Sequence, residues 1–570
     1  MPSGRRTPPV PAVEQDRFVA SSALMAAGTL FSRISGFVRA FLLAAALGNL
    51  LSGDLFSIAN TIPNMLYILL AGGIFNAVLV PQLVRATKTD ADGGEAFTNR
   101  VITLAALFLG TITLLLVVAA PWVMGVFLDP VFDDPQLATQ RASVVDFARY
   151  CLPQVFFYGM FVLVGQILNA HGRFGPMMWA PIANNAVSVL VLAAYLLVYG
   201  PARGDERCQG FEPGQELLLG LGSTLGIVVQ CLILLPYLRR AGIRYRPQFD
   251  FRDSGLGHTL RLGTWTILVV AVNQIAYTVV VRLASGGTAQ SATDGCGVGM
   301  TAEGTGYTVY STAFLIVMVP HSIVTVSIAT AVLPRLSRLA ADRNLPDLAI
   351  SVAGTLRASL TLIVPFAFLI PVIAADVANA ISFGAARSTS ENYGPTIALF
   401  GPGILFFTVH YLMLRGFFAL ERTQTVFWVQ CIIAGVNVAA AMALVGVTEA
   451  RLTAPSLAAA YGASYAVGSA LSYLILRRAL GGLDTRRLLA FLARMLVPTV
   501  GATGMAYLLA HVLHATVEEP TQLTAALWVA AVATADGIVF LGLAWLLRVA
   551  EITQVGTFVV RRLHAAARHG

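Results

Sequence analysis

The chain alternates long apolar segments with short polar ones from residue 18 to residue 548. A helix that crosses the roughly 30 Å hydrocarbon core of a bilayer needs about 20 apolar residues, and fourteen segments meet that length. They lie at roughly 18–48, 54–84, 100–128, 144–170, 177–199, 215–238, 258–284, 306–334, 351–383, 394–420, 424–447, 455–476, 487–514 and 521–548. The pattern predicts an all-α polytopic membrane protein with fourteen transmembrane helices.

The basic residues between these segments are distributed unequally. If the N-terminus is cytoplasmic, the inside segments carry most of the arginines, from the N-terminal tail through 239–252 to the C-terminal tail. The outside loops hold only five, which are Arg141, Arg203, Arg207, Arg387 and Arg451. Cytoplasmic loops characteristically carry the excess of Lys and Arg. The distribution predicts a multi-pass protein of the cytoplasmic membrane with both termini inside.

The overall composition agrees with a membrane protein. The chain of 570 residues is 57% hydrophobic and 12% charged, whereas a soluble domain is about 25% charged. The net charge of +8 comes from residues spread over loop edges rather than from one patch. A nucleic-acid partner is therefore not expected.

Two short motifs recur about 250 residues apart. The segment LVPQLVRAT at 79–87 resembles VLPRLSRLA at 332–340, and 169–179 corresponds to 418–428. A separation of six spans keeps the topology, so the two halves are predicted to be parallel six-helix lobes followed by a C-terminal helix pair. The predicted units are 1–17 (N-terminal tail), 18–240 (N-lobe), 241–257 (basic linker), 258–480 (C-lobe), 481–548 (last helix pair) and 549–570 (basic tail).

Two arginines lie inside the first apolar segment. Arg33 is near its middle and Arg39 follows six residues later, and each central arginine costs about 2.5–3.5 kcal/mol in a membrane helix. The residues Ser32, Ser35 and Gly36 between them are small enough to let the helix bend or unwind. The arginines either bind a phosphate or diphosphate in a cavity, or pair with Asp54 or with carbonyls and hold the bundle together.

The second apolar segment is unusually polar for a membrane span. Asp54 begins it, Asn60 and Asn64 lie four residues apart on one helix face, and Pro63 frees the carbonyl of Ala59. This face suits the hydroxyl and amide groups of sugars or peptides. For Asn60, a role in sealing a helix contact is an equal alternative.

Other polar residues of the spans have simpler explanations. Arg282 and Arg415 lie near span ends and are expected to reach the interface with their long side chains, although both remain secondary cavity candidates together with Ser32 and Asn60. Asp376 and Asp536 are intramembrane acids that could hold a proton or a cation.

The sequence contains no pattern typical of an enzyme or a metal site. The histidines are scattered, without HExxH, and no nucleotide loop or catalytic triad order is apparent. No CxxC spacing occurs among the five cysteines. Cys208 and Cys296 fall in outside loops, where they form either a disulfide or two free thiols. No catalytic residue, metal or cofactor is expected.

The opening of the chain resembles a known family. LFSRISGFVRAFLLAAALG at 30–48, DLFSIANTIPNMLYILLAGGIF at 54–75, VLPRLSRLA and RGFFALERTQT are similar to the MurJ (MviN) lipid II flippases. The resemblance covers most of the chain. It implies the fold of the multidrug/oligosaccharidyl-lipid/polysaccharide exporters, with two six-helix lobes around a V-shaped cavity and the last two spans forming a groove for a lipid tail.

The resemblance also implies site residues. The SRxxGFxR motif places the family's cavity arginines at Arg33 and Arg39, the acid at Asp54 and the PN motif at Asn64. The chain departs from proteobacterial relatives, which have an acid at Ala40, an arginine at Tyr67 and a charged cluster where 314–319 is apolar here. These differences resemble the actinobacterial branch.

The sequence therefore predicts a flippase in the bacterial inner membrane. Its substrate would be lipid II, the undecaprenyl-diphosphate-linked disaccharide-pentapeptide, held by Arg33, Arg39, Asp54 and Asn64, with Asp54 pairing with an arginine when substrate is absent. Further partners would be membrane lipids, a coupling ion and cell-wall synthesis proteins. The alternatives are an exporter of another lipid-linked oligosaccharide, a drug/cation antiporter, and a scaffold of cell-wall synthesis without transport.

Overall fold

The described part of the chain folds into helices that turn back on one another. The computed structural model describes residues 12–69, 94–249, 256–293, 304–517 and 520–549. Within these ranges there are α-helices, short 3-10 turns and one π-helical segment, and no strand. The prediction of an all-α protein is confirmed.

The described residues before the basic linker form nine helices. They are α1 (Ala12–Leu47), α2 (Leu51–Ile68), α3 (Glu95–Val118), α4 (Ala120–Phe127), α5 (Ala138–Cys151), α6 (Gln154–Ala170), α7 (Gly175–Val198), α8 (Pro213–Leu232) and α9 (Leu234–Arg240). Short 3-10 turns connect α4 to α5 and α7 to α8. The helix α1 runs without interruption through Ser32, Ser35 and Gly36, so it does not unwind at these small residues.

Nine further helices lie in the described ranges after residue 255. They are α10 (Leu256–Thr293), α11 (Tyr307–Pro320), α12 (Val326–Ala341), α13 (Leu345–Ile381), α14 (Tyr393–Ala419), α15 (Thr423–Val445), α16 (Thr453–Ala479), α17 (Thr485–His514) and α18 (Gln522–Leu546). A π-helical segment, His321–Thr325, joins α11 to α12, and a 3-10 segment, Gly384–Asn392, joins α13 to α14.

Local sequence signals explain several helix ends. Glu212 and Gln215 form a capping box that begins α8, in which each side chain accepts from a backbone amide that the helix leaves unpaired. Asn344 accepts from the amide of Asp347 at the start of α13 and is followed by a proline in the first turn. These caps fix where α8 and α13 begin, and polar residues between apolar runs predict such helix starts.

Twelve helical segments are long and apolar enough to cross a membrane, counted over the described residues. They correspond to predicted spans three to fourteen. The first two predicted spans fall on α1 and α2, and the second of them continues into residues outside the described ranges. The protein is polytopic, and the count of fourteen spans stays a prediction.

The internal repeat is visible in the backbone of two turns. Gly172 and Glu421 both have positive φ, and in each turn the next amide donates to the carbonyl five residues before it. Gly94 and Arg343 form a second pair with positive φ, and both pairs are 249 residues apart. The first copy of the other sequence match, 79–87, lies outside the described residues. The matching turns support two related halves.

The helices of the described residues form two lobes. Helices α1 to α9 pack on one another, α10 to α16 form a second group, and α17 and α18 pack on each other and on α13. At the end that holds the α1–α2 turn, the residues Ala44–Phe56 are buried, together with the C-terminal half of α10 and the start of α11. Toward the opposite end, eight of the sixteen residues of α12 are exposed, and none of the residues 264–275 of α10 is buried. We call the first the closed end and the second the open end.

The cysteines differ in their bonding. Cys208 is disulfide-bonded, and Cys151, Cys231 and Cys431 are free. The remaining cysteine of the sequence, Cys296, lies outside the described residues.

Glycines permit close packing inside the second lobe. A Cβ placed on Gly401 of α14 would lie 2.9 Å from the backbone oxygen of Ala367 in α13, whereas one on Gly435 of α15 meets nothing within 4 Å. The two positions share the same helical context, in which alanine is favoured over glycine by about 0.5–1 kcal/mol.

We expect Gly401→Ala to destabilise the protein by roughly 1–3 kcal/mol, because two backbones must separate to admit the methyl group. Gly435→Ala is the matched control and should leave stability unchanged or raise it slightly. The measurement is the apparent melting temperature of the purified protein in detergent. Equal melting temperatures for the two variants would contradict the packing of α13 against α14.

Candidate functional site

A cavity of about 730 Å³ lies between the two lobes. Residues of α1, α2 and α7 form the wall on the first lobe, and residues of α10, α11, α15 and α16 form the wall on the second lobe. Most of the polar side chains that line it are uncharged amides, hydroxyls and phenols. A cavity of this size falls in the range of small-molecule sites, about 300–1,000 Å³.

Arg39 is the one charged residue among the described residues that line the cavity. It projects from α1, between Gly36 and Ala40, and is partly buried. Asn64 of α2 lines the same wall with an exposed side chain. A guanidinium with apolar and amide neighbours, and no lining carboxylate in the described part, attracts an anion.

Arg33 does not line the cavity. It is exposed, and its Nη1 donates to Ser322 Oγ in the π-helical segment of the second lobe. Arg33 therefore joins the lobes on the side of Arg39 that faces the open end. Its neighbour Ser32 contributes only its carbonyl, which accepts from Asn185 Nδ2 at 3.0 Å and from Ser35 Oγ at 3.0 Å.

Asp54 lies at the closed end, outside the cavity. Its side chain is fully buried and accepts from the backbone N–H groups of Tyr307 (3.0 Å) and Thr308 (2.6 Å) and from Thr288 Oγ1 (2.7 Å). The carboxylate thus caps the N-terminus of α11, where unpaired amides and the helix dipole favour negative charge. The expected ion pair with an arginine is not formed among the described residues.

Gly306 makes this contact between the lobes feasible. A Cβ at Gly306 would lie 1.9 Å from Asp54 Oδ2 and 3.0 Å from the carbonyl oxygen of Ala284. A side chain at the position before α11 would block the carboxylate of Asp54 from the other lobe, and glycine leaves room for it.

Three further candidates, Asn60, Arg282 and Arg415, also lie outside the cavity lining. Asn60 Oδ1 accepts from Gln154 Nε2 at 3.0 Å and seals α2 against α6. Arg282 donates to the carbonyls of Gly125 and Val126 at the end of α4, at 3.2 and 3.3 Å. Asn60 therefore seals a contact between two helices, which was the alternative given for it above. Arg282 makes a contact between the two lobes and does not merely extend its side chain to the membrane–water interface.

Arg415 stacks on a ring of its own helix. Its guanidinium lies 4.4 Å from the ring centre of Tyr411 and also donates to the hydroxyl of Tyr411. This contact engages the charge within the second lobe, away from the cavity lining.

The two intramembrane acids lie in the last part of the molecule. Asp376 of α13 is buried, and its Oδ1 is 2.9 Å from Nε2 of His514 at the end of α17. Asp536 of α18 is buried, and its Oδ1 has no hydrogen-bond partner. No group of three or more metal-ligating side chains occurs in the ranges that the structure covers.

The sequence analysis missed the wall on the second lobe. This wall presents four amides and four phenols: Asn273, Gln274, Gln430, Asn437, Tyr277, Tyr310, Tyr461 and Tyr465. Gln430 Nε2 donates to Asn273 Oδ1 at 2.7 Å, and Gln274 Nε2 donates to the carbonyl of Met65 in the first lobe at 3.0 Å. The spacing of Gln430 and Asn437, two helical turns apart within an apolar span, was the available signal.

The fold and the cavity define a polytopic membrane transporter in which two helical lobes enclose one polar binding cavity. The family model for the lipid II flippase MurJ matches residues 43–523 of the chain. This match covers most of the sequence, and the chain belongs to the lipid II flippase MurJ family. Arg33 and Arg39 precede the matched residues, so their assignment depends on the geometry of α1.

Individual proteins show the same relationship. The chain is similar to a probable lipid II flippase MurJ of Haemophilus influenzae, with 26% identity over 412 residues, which are 70% of this chain and 75% of the relative. Its fold is similar to a solved lipid II flippase MurJ in an inward closed conformation, with a TM-score of 0.67, 16% identity and coverage of 92% and 99%. An inward-facing multidrug resistance MATE family transporter of the MOP superfamily shares the fold with a TM-score of 0.61, 14% identity and coverage of 80% and 96%.

The contact between Asp54 and Gly306 yields a stability prediction. Asp54→Ala should destabilise the protein by roughly 1–3 kcal/mol, since it leaves two buried amides of α11 without an acceptor. Gly306→Ala should destabilise it as well, and its effect should shrink in the Asp54→Ala background, because the shortest of the three close contacts of the new Cβ is then removed. Apparent melting temperatures of the four proteins measure this coupling, and strictly additive effects would contradict the contact.

Proposed function

We propose that this protein moves lipid II from the inner to the outer leaflet of the bacterial cytoplasmic membrane by alternating access. The observation that carries the proposal is the cavity between the lobes, in which Arg39 supplies the charge and uncharged amides and phenols supply the remaining polar contacts. Membership in the lipid II flippase MurJ family supports the choice of substrate. As a member of a transporter family, the protein is proposed to act without chemical catalysis.

The diphosphate of the substrate binds at Arg39. A guanidinium forms bidentate, charge-assisted hydrogen bonds with phosphate oxygens, and the phosphate charge offsets the cost of keeping Arg39 among apolar spans. Asn64 lies on the same wall and offers an amide to the adjoining sugar. Arg33, nearer to the open end, receives the anion before it reaches Arg39 and exchanges its contact with Ser322 for the phosphate.

The closed end forms the outer gate. With the proposed orientation, in which both termini are cytoplasmic, the α1–α2 turn faces the outside and the cavity opens toward the cytoplasm. Residues 18–240 and 258–480 act as the two rocking lobes, and 481–548 provides a groove for the lipid tail. An inside-negative potential favours outward movement of the anionic headgroup by about 2.3 kcal/mol per charge per 100 mV.

A drug/cation antiporter fits the cavity less well. Such a carrier needs an acid to hold a cation, and the lining residues in the described part of the chain include no carboxylate. Asp54, Asp376 and Asp536 are all buried away from the lining.

The role of Arg39 is tested by Arg39→Ala. We expect this variant to reduce lipid II transport at least tenfold, because a charge-assisted contact is worth about 1.5–3 kcal/mol, and Arg33→Ala to have a smaller effect. Arg415→Ala is the matched control, since Arg415 is an arginine of a span outside the cavity lining. The measurements are rescue of a lipid II flippase-depleted bacterium at equal membrane levels and lipid II translocation in vesicles. Full rescue by Arg39→Ala would contradict the site.

The gate is tested by the accessibility of Ser57, which lines the cavity next to the closed end. In intact cells, a membrane-impermeant thiol reagent should label Ser57→Cys slowly from outside. Adding Asp54→Asn should raise the labelling rate severalfold, because the neutral amide cannot accept from both amides of α11 as the carboxylate does. The parent chain without the new cysteine gives the background. A rate unaffected by Asp54→Asn would contradict the proposed gate.

A further inference from the structure

An acid and a histidine join the last helix pair to the second lobe. Asp376 of α13 is buried, and its Oδ1 lies 2.9 Å from Nε2 of His514, the last residue of α17. The side chain of His514 is 44% exposed. The 3-10 segment after α13 packs on the α1–α2 turn, where the carbonyl of Thr389 accepts from Asn49. The pair therefore lies near the closed end, and neither residue lines the cavity.

The hydrogen bonds of His514 show how many protons the pair must hold. Its Nδ1 lies 2.8 Å from the carbonyl oxygen of Ala510, and a carbonyl oxygen only accepts, so Nδ1 carries a hydrogen. In a neutral imidazole with that hydrogen, Nε2 has a lone pair. An ionised carboxylate also only accepts. The contact between Nε2 and Oδ1 of Asp376 therefore needs one additional proton, either on the imidazole or on the carboxyl group.

The surroundings leave this proton to the pair alone. The ring of Trp528 on α18 packs against the imidazole, with ring centres 5.0 Å apart. Oδ2 of Asp376 has no hydrogen-bond partner among the described residues. The free carbonyls at the end of α17 favour a positive charge on His514.

Other titratable or charged groups on the elements packed here make no hydrogen bond or ion pair with the pair, as far as the structure describes them. They are His511 on α17, Arg387 and Glu391 in the 3-10 segment, Tyr393 on α14 and Asp536 on α18. Arg387 donates to Asn379 and to the carbonyl of Pro520 instead. Glu518 and Glu519 lie outside the described residues.

We propose that Asp376 and His514 form a site for a single proton, and that this proton fastens α17 to α13. When the proton leaves, an imidazole lone pair faces a carboxylate oxygen, and the buried carboxylate has no donor in the described part of the chain. Separated and in water, both groups are largely unprotonated at about pH 8. The joined pair then holds one proton more than the separated pair, so the contact strengthens as the pH falls and weakens as it rises.

The proton site goes beyond the proposed function. It requires neither Arg39 nor a bound lipid, and it concerns the helix pair 481–548 rather than the cavity. With the proposed orientation, the closed end faces outside, and His514 exchanges its proton with the outer solution. The acidity of that solution thus sets how firmly α17 is held to the second lobe.

The test measures how accessible the interface between α13, α17 and α18 is in the full-length protein in lipid nanodiscs. Val532→Cys reports on it, because Val532 is fully buried in a cluster with Ile373 of α13 and Ala510 of α17. Thr516→Cys, at an exposed residue after α17, is the reference that corrects for ionisation of the thiol itself. The ratio of the two labelling rates with a small uncharged thiol reagent should rise severalfold from about pH 5 to about pH 9.

Two conservative variants separate proton binding from packing. In Asp376→Asn the amide N–H donates to Nε2 of neutral His514, and in His514→Gln the amide N–H donates to the carboxylate. Both contacts form without an additional proton, so the ratio should stay low and nearly independent of pH. His511→Gln, at the exposed histidine one turn earlier on α17, is the matched control and should keep the pH dependence.

The outcomes decide the proposal without reference to transport. A labelling ratio that does not change with pH in the otherwise unaltered chain overturns the proton site, and so does a pH dependence that both Asp376→Asn and His514→Gln leave intact. Ala510→Cys, in the same buried cluster, is the second reporter if Val532→Cys does not fold. Failure of the protein to transport lipid II would contradict the proposed function and leave this test unaffected.

Discussion

The buried contact between Asp54 and the start of α11 is the interaction on which the arrangement of the lobes depends. A carboxylate without exposure to water is stable only if its oxygens accept hydrogen bonds, and two backbone amides and one hydroxyl of the second lobe supply them. The carboxylate of Asp54 in the first lobe thus accepts the hydrogen bonds of two amides at the N-terminus of α11 in the second lobe. This contact and its neighbours hold the lobes together at the closed end, and the cavity lies between the lobes next to it.

The charge at the closed end and the charge in the cavity are used in different ways. Asp54 is satisfied within the protein, which makes it a structural group in this conformation. Arg39 faces a cavity whose other described lining residues are neutral, so its charge remains available to an anion. An acid and an arginine that lie fifteen residues apart in the sequence are therefore used differently: Asp54 caps α11 at the closed end, and Arg39 lines the cavity.

The departures from the proteobacterial pattern fit this division. The ring of Tyr67, for which the resemblance implies an arginine in proteobacterial relatives, lies 4.8 Å from the ring of Tyr158 and strengthens the packing of the first lobe. Ala40 lines the cavity without a charge. The cavity presents amides and phenols from the second lobe, which favour neutral hydrogen-bonding groups beside one anion.

The sequence by itself determined the class of the fold and predicted two residues that line the cavity, Arg39 and Asn64. Spans of about 20 apolar residues can only be helices in a bilayer, because each backbone polar group must be paired within the segment. Arg39 and Asn64 were predictable for the same reason, since polar groups are costly in such spans and stand out against them. Tertiary structure decided the rest. Whether Arg33 or Arg39 faces the cavity depends on how α1 is rotated against α7. Asp54 and the amides of Tyr307 and Thr308 are more than 250 residues apart in the chain, so no local pattern shows that they meet. Asn437 and Tyr461 were missed because single amides and phenols are tolerated in apolar spans, and only the packing of α15 and α16 brings these residues into the lining of one cavity.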